Sequence, residues 1–560
     1  MTEIDRRQLL IRGGGAIGGL SMSGLLAGCF GGSDSKDGAA TDGGGANDGE
    51  PKQGGTLRFS HTGTPAGYDP HKWWNAQTGL VATACCEPLI GVHNYTGERV
   101  PRLATAEPEA NGDATVFTYA LRPDVKFHGD HGTMTADDVK FSWERLLSPD
   151  LGAEAGFLYA SVPILGLKAF QDGKAKGIRG LRAVDDLTFE VTLERPDSTL
   201  LPAFSYMQAV VVPRAYYEGK KVEDVNWAPI GTGPFMLESV DKATGGRLVR
   251  NPEYWDPALP YVDAVEISYN VEPALAISRI QKGEQELMNE PIPAAQVNQI
   301  RNDPSMKDFL KEGIQNTCQW LALPTRLKPF DQLEVRQAVA MAIDKEKLAK
   351  VVKGLADPAT GGIFSPKSRY FEDGIAYPYD PEKARALLAE AGFADGFDAP
   401  FWYQNQPPWS DMGPAITQDL EQIGIRVQGK SKIYDQFVQE TNPGPPAMII
   451  FAWEDAYGHG SYVADSAFTK GAIDAGCCNY STFTNAKLEA LTEEGHVPDR
   501  AASDEAYKEI SRIVVADEVL WVPLLYPRRA DLVNKTVRGY EVAVAPSSES
   551  KPFSEYWLAT

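Results

Sequence analysis

The chain has 560 residues, 43% of them hydrophobic and 23% charged, with a formal net charge of -22. At about 150 residues per domain, that length carries three or four domains or lobes and enough chain for large buried cores. The acidic balance argues against a nucleic-acid surface and a polybasic membrane patch, and suits a soluble protein of an extracytoplasmic space.

Residues 1–30 have the order of an export signal. Arg6-Arg7-Gln8-Leu9-Leu10 resembles a twin-arginine motif, and a Gly-rich apolar run follows from Ala16 to Ala27. Leu26-Ala27-Gly28-Cys29 then resembles a lipobox, in which Cys29 is lipidated and becomes the mature N-terminus. The apolar run is too short and too Gly-rich to span a bilayer. Gly13-Gly14-Gly15-Ala16-Ile17-Gly18 matches G-x-G-x-x-G, but no strand precedes it and no acidic residue follows at the right distance, so it is not a dinucleotide site. From residue 30 to 53 the chain is Gly, Ser, Asp and Ala with almost no large apolar residue, and reads as a flexible tether.

The folded part opens at Gly54-Gly55-Thr56-Leu57-Arg58-Phe59, a strand, followed by a Tyr68-Asp69-Pro70 turn. Glu87-Pro88-Leu89-Ile90 and Pro101-Arg102-Leu103-Ala104 come next. Phe117, Tyr119 and Leu121 then alternate with Thr118 and Ala120, the period of a strand with one buried face. Gly129 to Gly132 turn the chain. Val139, Trp143 and Leu146 fall at helical spacing, with Thr135 as N-cap, Asp138 three residues on, and Pro149 as the stop. Asp185 to Leu193 alternates through Leu187, Phe189, Val191 and Leu193. Gly231-Thr232-Gly233-Pro234-Phe235 leads into a hairpin of Phe235 to Val240 and Arg247 to Arg250, turning at Gly245-Gly246, and Asn251, Tyr254 and Trp255 follow. A strand over Tyr261 to Val271 and a helix over Ala274 to Lys282, stopped by Gly283, complete this part.

Thr317 to Pro324 is a short apolar strand, and Pro329 to Ala338 a helix start with Asp331 as N-cap and Glu334 three residues later. Asp344 caps a second helix that ends at Gly354; Asp380-Pro381 opens a third, with Ala384, Leu387, Leu388 and Ala391 as its stripe and Gly392 as its close. Strands at Phe401 to Gln404, Ile425 to Gln428 and Met448 to Trp453 alternate with helices around 411–423 and 432–440, which implies an α/β lobe with a largely parallel sheet. A long helix, Ser503 to Val519, leads to Trp521-Val522-Pro523-Leu524.

The block from Phe117 to Pro149 resembles the signature of the bacterial family 5 extracellular solute-binding proteins, the peptide and nickel binding components of ABC importers. The matching residues are Leu121, Arg122, Val125, Lys126, Phe127, His128, Thr135, Ala136, Asp138, Val139, Phe141, Ser142 and Arg145, with a His128–Gly132 turn one residue longer than usual. The motifs at 54, 68, 87, 101, 231, 251 and 329 follow in family order, so the resemblance covers 54–560. It implies a two-lobed, periplasmic-binding-protein-like α/β fold of class II with an extra subdomain in the first lobe and a two-strand hinge. The boundaries it implies are a lipoprotein signal over 1–29, the tether over 30–53, lobe I over 54–316 with an inserted subdomain at about 90–225, lobe II over 317–524, and a return to lobe I over 525–560. The chain crosses between lobes near Thr317 to Pro324 and near Trp521 to Arg528, and a cleft between hinged lobes is where a ligand binds.

Members of this family grip a peptide or other oligomer with aromatics, backbone groups and a few charges. A carboxylate after a W-x-x-D-like stretch often holds the peptide's terminal amine. Here Trp453-Glu454-Asp455 is a residue short, so either Glu454 or Asp455 takes that role, against a plain reading as a solvated acidic pair. Trp73, Trp74, Trp402, Tyr403 and Trp409 are aromatics in or beside loops, as a cleft would use; Trp402 is placed at a strand's end in the α/β lobe. Trp143 and Trp255 belong to core motifs. Arg369, in a Pro-rich loop, would meet a ligand carboxylate, or is an ordinary surface arginine.

With Cys29 assigned to lipid, Cys85, Cys86, Cys318, Cys477 and Cys478 remain. Neighbouring cysteines are poorly placed to bond each other, so one member of a pair bonding elsewhere is expected, with connectivity open. His128, Asp130 and His131 crowd one turn and are not read as a metal site. The chain has no G-x-S-x-G, H-E-x-x-H or G-x-x-x-x-G-K-[ST], so no catalytic residue, cofactor or metal is expected. The expected protein is a non-enzymatic, monomeric, lipid-anchored binder on the outer face of the cell membrane. Its partners are a small-molecule or peptide ligand and ABC permease and ATPase subunits, with no nucleic acid. Oligopeptide is the expected ligand; cello-oligosaccharide, an opine or a nickel complex are alternatives on the same fold. A secreted glycoside hydrolase and an adhesin without a closing cleft are the alternatives of other classes.

Overall fold

In a computed structural model of the chain, residues 49–559 are described except 74–75, 155, 291, 455–457, 477 and 544–550. The export signal, Cys29 and most of the tether lie outside the described residues, as do Trp74, Asp455 and Cys477.

The first lobe is built on a five-stranded sheet with the order Leu287–Met288, Thr56–Ser60, Ala264–Ser268, Gly245–Arg250, Phe235–Asp241. The opening strand pairs in parallel on both sides and buries its apolar Leu57 and Phe59, with Thr56 and Arg58 on the more open face. The hairpin turns earlier than expected, at 242–244. Gly245 already belongs to the second strand, because at φ 153° it lies against the Ile267 carbonyl, where a Cβ would sit 2.0 Å from the oxygen.

The inserted subdomain is a four-stranded antiparallel sheet with the order Glu109–Ala110, Val116–Ala120, Thr188–Thr192, Leu181–Asp185. Leu187, expected on the buried face, is 39% exposed, since the strand begins at Thr188 and Leu187 falls in the hairpin turn. The helix Ala136–Leu146 lies on this sheet. Asp138 Oδ2 accepts from Thr135 N and Oγ1, both at 3.0 Å, which fixes its first turn. Val139, Trp143 and Leu146 are buried, and the Trp143 ring packs edge-on to Phe189 at 5.2 Å. The last turn of this helix sends Arg145 towards the Tyr68-Asp69-Pro70 turn. Its Nη1 donates to Asp69 Oδ1 at 2.9 Å and to His71 Nδ1 at 3.0 Å, Nη2 donates to Asp69 Oδ2, and the guanidinium covers the Tyr217 ring. This buried pair ties the inserted subdomain to the first lobe.

One seven-stranded sheet runs from the crossings into the second lobe. Its order is Leu310–Ile314, Trp521–Leu532, Thr317–Ala322, Met448–Glu454, Phe397–Gln404, Ile425–Lys432, with Ala356–Pro358 also on Trp521–Leu532. The expected largely parallel sheet is instead mixed. Only Phe397–Gln404 pairs in parallel, with Ile425–Lys432 and Met448–Glu454; the other pairings are antiparallel. Thr317–Ala322 brings the chain into this lobe and Trp521–Leu532 takes it out, so the two run in opposite directions. The N-cap expected at Asp331 moves to Gln332, because the turn closed by Gln332 N on the Pro329 carbonyl holds Asp331 outside the helix Leu333–Ala342. Asp344 and Asp380 cap as expected, accepting from Lys347 N and Lys383 N.

Cys85, Cys86 and Cys318 are free and buried. Neither member of the first pair bonds elsewhere, contrary to expectation, because both pack inside the first-lobe core with Leu57 and Phe235. Cys478 is disulfide-bonded, to a partner outside the described residues.

His61, His71 and His128 are buried, and burial pushes each down to about 4. The unfolded chain takes up these protons near 6.5, so acidification favours unfolding; each group costs on the order of 2–3 kcal/mol between about pH 6.5 and 4. Urea titrations are therefore expected to show a midpoint that falls steadily over that range, and a constant midpoint would contradict the burial of these three imidazoles.

Candidate functional site

Strand alternation divides the second-lobe sheet into two faces. One carries Leu321, Phe401, Met448 and Ile450 and is covered by the helices Leu333–Ala342 and Trp409–Gln422. The other is aromatic: Trp320, Trp402, Phe451, Trp453 and Trp521 all point from it. Trp320 and Trp521, on the incoming and outgoing strands, stack at 3.8 Å and 14°. Trp453 continues the stack at 6.3 Å and 22° from Trp521, and Phe437 lies over Phe451 at 5.8 Å and 11°. The apolar cluster that includes this face also takes in the core of the inserted subdomain, with Leu201, Met207, Trp255, Phe451, Trp453 and Phe483 packed against it.

Of the residues singled out in the sequence, Trp402 and Trp453 share this face. Trp402 is only 9% exposed. Its Nε1 has no hydrogen-bond partner among the described residues, and the Lys432 ammonium caps its ring at 4.2 Å while pairing with Glu440 at 3.0 Å. Tyr403 points to the opposite face, its ring filling the space left by Gly413. Trp409 begins the helix Trp409–Gln422 and stacks on Phe451 at 6.5 Å and 13°. Glu454 ends its strand in register with Thr317. Trp73 is in the first lobe, where its Nε1 donates to Asn226 Oδ1 at 2.6 Å. Arg369 is held by Asp504 at 2.8 Å and by the hydroxyl and ring of Tyr370.

Two features were not legible. Lys430 and Lys432 lie beside Trp402 because the strand runs to Lys432; Gly429-Lys430-Ser431-Lys432 has no apolar alternation to signal it. Tyr480, with its hydroxyl on Asn442 Oδ1 at 3.0 Å, joins the aromatic face from a loop with no periodic pattern. A separate cavity of about 120 Å³ lies in the first lobe, lined by Cys86, Glu87, Arg102, Tyr254 and Lys551. It is smaller than the roughly 300–1,000 Å³ of typical ligand pockets.

A profile of the bacterial extracellular solute-binding proteins, family 5 Middle, matches residues 98–475. Di/tripeptide-binding protein 2 of Pseudomonas aeruginosa is 29% identical over 516 residues, spanning 87% of this chain and 92% of its own. Among solved structures, the Clavulanic acid biosynthesis oligopeptide binding protein 2 superposes with a TM-score of 0.81 at 22% identity, covering 91% of this chain and 96% of that one. The Helicobacter pylori periplasmic binding protein DppA in complex with the peptide STSA superposes with a TM-score of 0.72 at 23% identity, covering 91% and 99%. No helix of the described residues is long and apolar enough to cross a membrane.

The burial of Trp402 sets what its removal does. Trp402→Ala is expected to destabilise the protein by about 3–5 kcal/mol, read as a lower urea midpoint, whereas Arg369→Ala breaks a half-exposed pair worth about 1 kcal/mol or less.

Proposed function

The chain belongs to the bacterial extracellular solute-binding proteins, family 5, and on that premise we propose that it captures di- to oligopeptides between its lobes and delivers them to the permease and ATPase subunits of an ABC importer. The observation that carries this reading is the aromatic face of the second lobe, whose apolar cluster also takes in the core of the inserted subdomain. Rings of this kind accept side chains of varied shape, and the unpartnered indole N–H of Trp402 suits a peptide carbonyl. The names of the related proteins, di/tripeptide and oligopeptide binders, support the same ligand class.

The two crossings at 310–322 and 521–532 act as the hinge. Ligand favours closure by binding the closed form better, and the closed surface is what the permease meets. The protein binds without catalysing, works as a monomer, and is exported with Cys29 lipidated; two acyl chains on that residue give a firm membrane anchor. Glu454 or Asp455 holds the peptide's ammonium group through a charge-assisted bond.

Tryptophan fluorescence titration with di- and tripeptide mixtures is expected to give a saturable 1:1 response. Either Glu454→Gln or Asp455→Asn is expected to weaken it at least about tenfold, a loss of roughly 1.4 kcal/mol. A response confined to cello-oligosaccharides, opines or nickel chelates would reject the peptide reading, and turnover of an oligosaccharide would reject the binder.

A further inference from the structure

The loop that leaves the strand Thr188–Thr192 of the inserted subdomain plugs into the second lobe. Ser198 N donates to the His496 carbonyl at 2.7 Å, and Ser198 Oγ lies 3.3 Å from the Gly495 carbonyl and 3.4 Å from His459 Nε2. The socket is shaped by Gly460 and Gly495, which leave room for the Tyr507 ring; a Cβ on either would sit 2.3 or 2.4 Å from it.

At the centre of this contact His496 stands between carboxylates from the two lobes. Its Nε2 is 2.9 Å from both oxygens of Asp465, on the second-lobe helix Ser461–Ala467. Its Nδ1 is 3.6 Å from Oδ2 of Asp197, in the subdomain loop. Asp197 is fully buried. Its Oδ1 accepts from Thr199 N at 2.8 Å and from Thr199 Oγ1, and its Oδ2 has no hydrogen bond among the described residues.

A neutral imidazole has one N–H. With that hydrogen on Nε2 for Asp465, Nδ1 turns a lone pair towards the Asp197 carboxylate and the contact repels. Only the imidazolium offers an N–H to each lobe. We propose that Asp197, His496 and Asp465 form a proton-dependent latch between the lobes, which holds them together when His496 is charged and lets them part when it is not.

The other charged groups at the contact are Glu493, on the helix Ala486–Gly495 that leads to His496, and Arg195, 3.9 Å from Glu493 and 3.8 Å from Asp197. His459 is buried and held well below the usual imidazole range, by burial first and then by Arg369, so it stays neutral. Burial alone would lower His496 too, but the Asp465 hydrogen bond and charge, then Asp197 and Glu493, raise it above the ordinary value. Opening removes Asp197 and leaves Asp465 and Glu493 in place, so the closed form binds the proton more tightly. Its added stability is full below the open-form value and is lost as pH rises through the closed-form value. That is opposite in sign to the effect of His61, His71 and His128.

Small-angle scattering of the full chain without added ligand, at about pH 5.5 and about pH 8.5, spans the titration of a histidine. Wild type is expected to have the larger radius of gyration at the higher pH, each pKa unit between the closed and open forms changing the open-to-closed ratio about tenfold. Asp197→Asn, which keeps the acceptor for Thr199, and His496→Gln are expected to show the same radius at both. A wild-type radius that ignores pH, or an Asp197→Asn variant that keeps the full response, overturns the latch. If His496→Gln does not fold, Asp197→Asn decides alone. The scattering reads closure without ligand, so its outcome is independent of whether peptides bind.

Discussion

The pairing of the strand that enters the second lobe with the strand that leaves it is the constraint on which the rest of the structure depends. Thr317–Ala322 and the first half of Trp521–Leu532 lie side by side in the second-lobe sheet, while the far half of the same outgoing strand pairs with Leu310–Ile314. Ala530 and Leu532, near its end, pack with Ile280, Met288 and Phe309 of the first lobe. One continuous strand thus has its ends in two cores. Rigid within each, it can bend only between them, and a two-strand connection confines relative motion to a hinge. The Trp320–Trp521 stack sits on this pair, so the floor of the aromatic face is fixed to the hinge itself.

A cleft needs a second wall that does not drift. The Arg145–Asp69 pair supplies this by joining the signature helix of the inserted subdomain to the first lobe, with Asp69 fully buried and Arg145 nearly so. A buried pair of this kind is costly to desolvate and adds little net stability, but removing one partner strands the other charge. It therefore acts on placement: the subdomain, its Thr188–Thr192 strand and the loop bearing Asp197 are held where they meet the second lobe. The His496 contact, which is ionic, is one consequence of that placement.

Elements with their own local grammar were readable before any coordinates. The capped helix Ala136–Leu146, the Asp344 and Asp380 caps and the left-handed stop at Gly283 each follow from a few neighbouring residues. Sheet direction was not readable, because strand-helix alternation says nothing of the antiparallel entry and exit strands. Trp402 stood out by residue type and setting, but the lysine over its ring lies at the end of a strand that carries no apolar signal. Asp197, Asp465 and His496 are hundreds of residues apart in part, and no period or motif links them; only the docked loop brings them together. Arg369 has the sequence setting of a ligand group and the surroundings of an ion pair with Asp504.

The most direct test of peptide capture is native mass spectrometry of the protein as purified, followed by exposure to defined peptide pools. The account predicts added mass that resolves into peptides of a narrow length range and is displaced by the pools. A bare protein mass that stays unchanged in the presence of di-, tri- and longer peptides would contradict it, leaving the two-lobed fold but not the ligand.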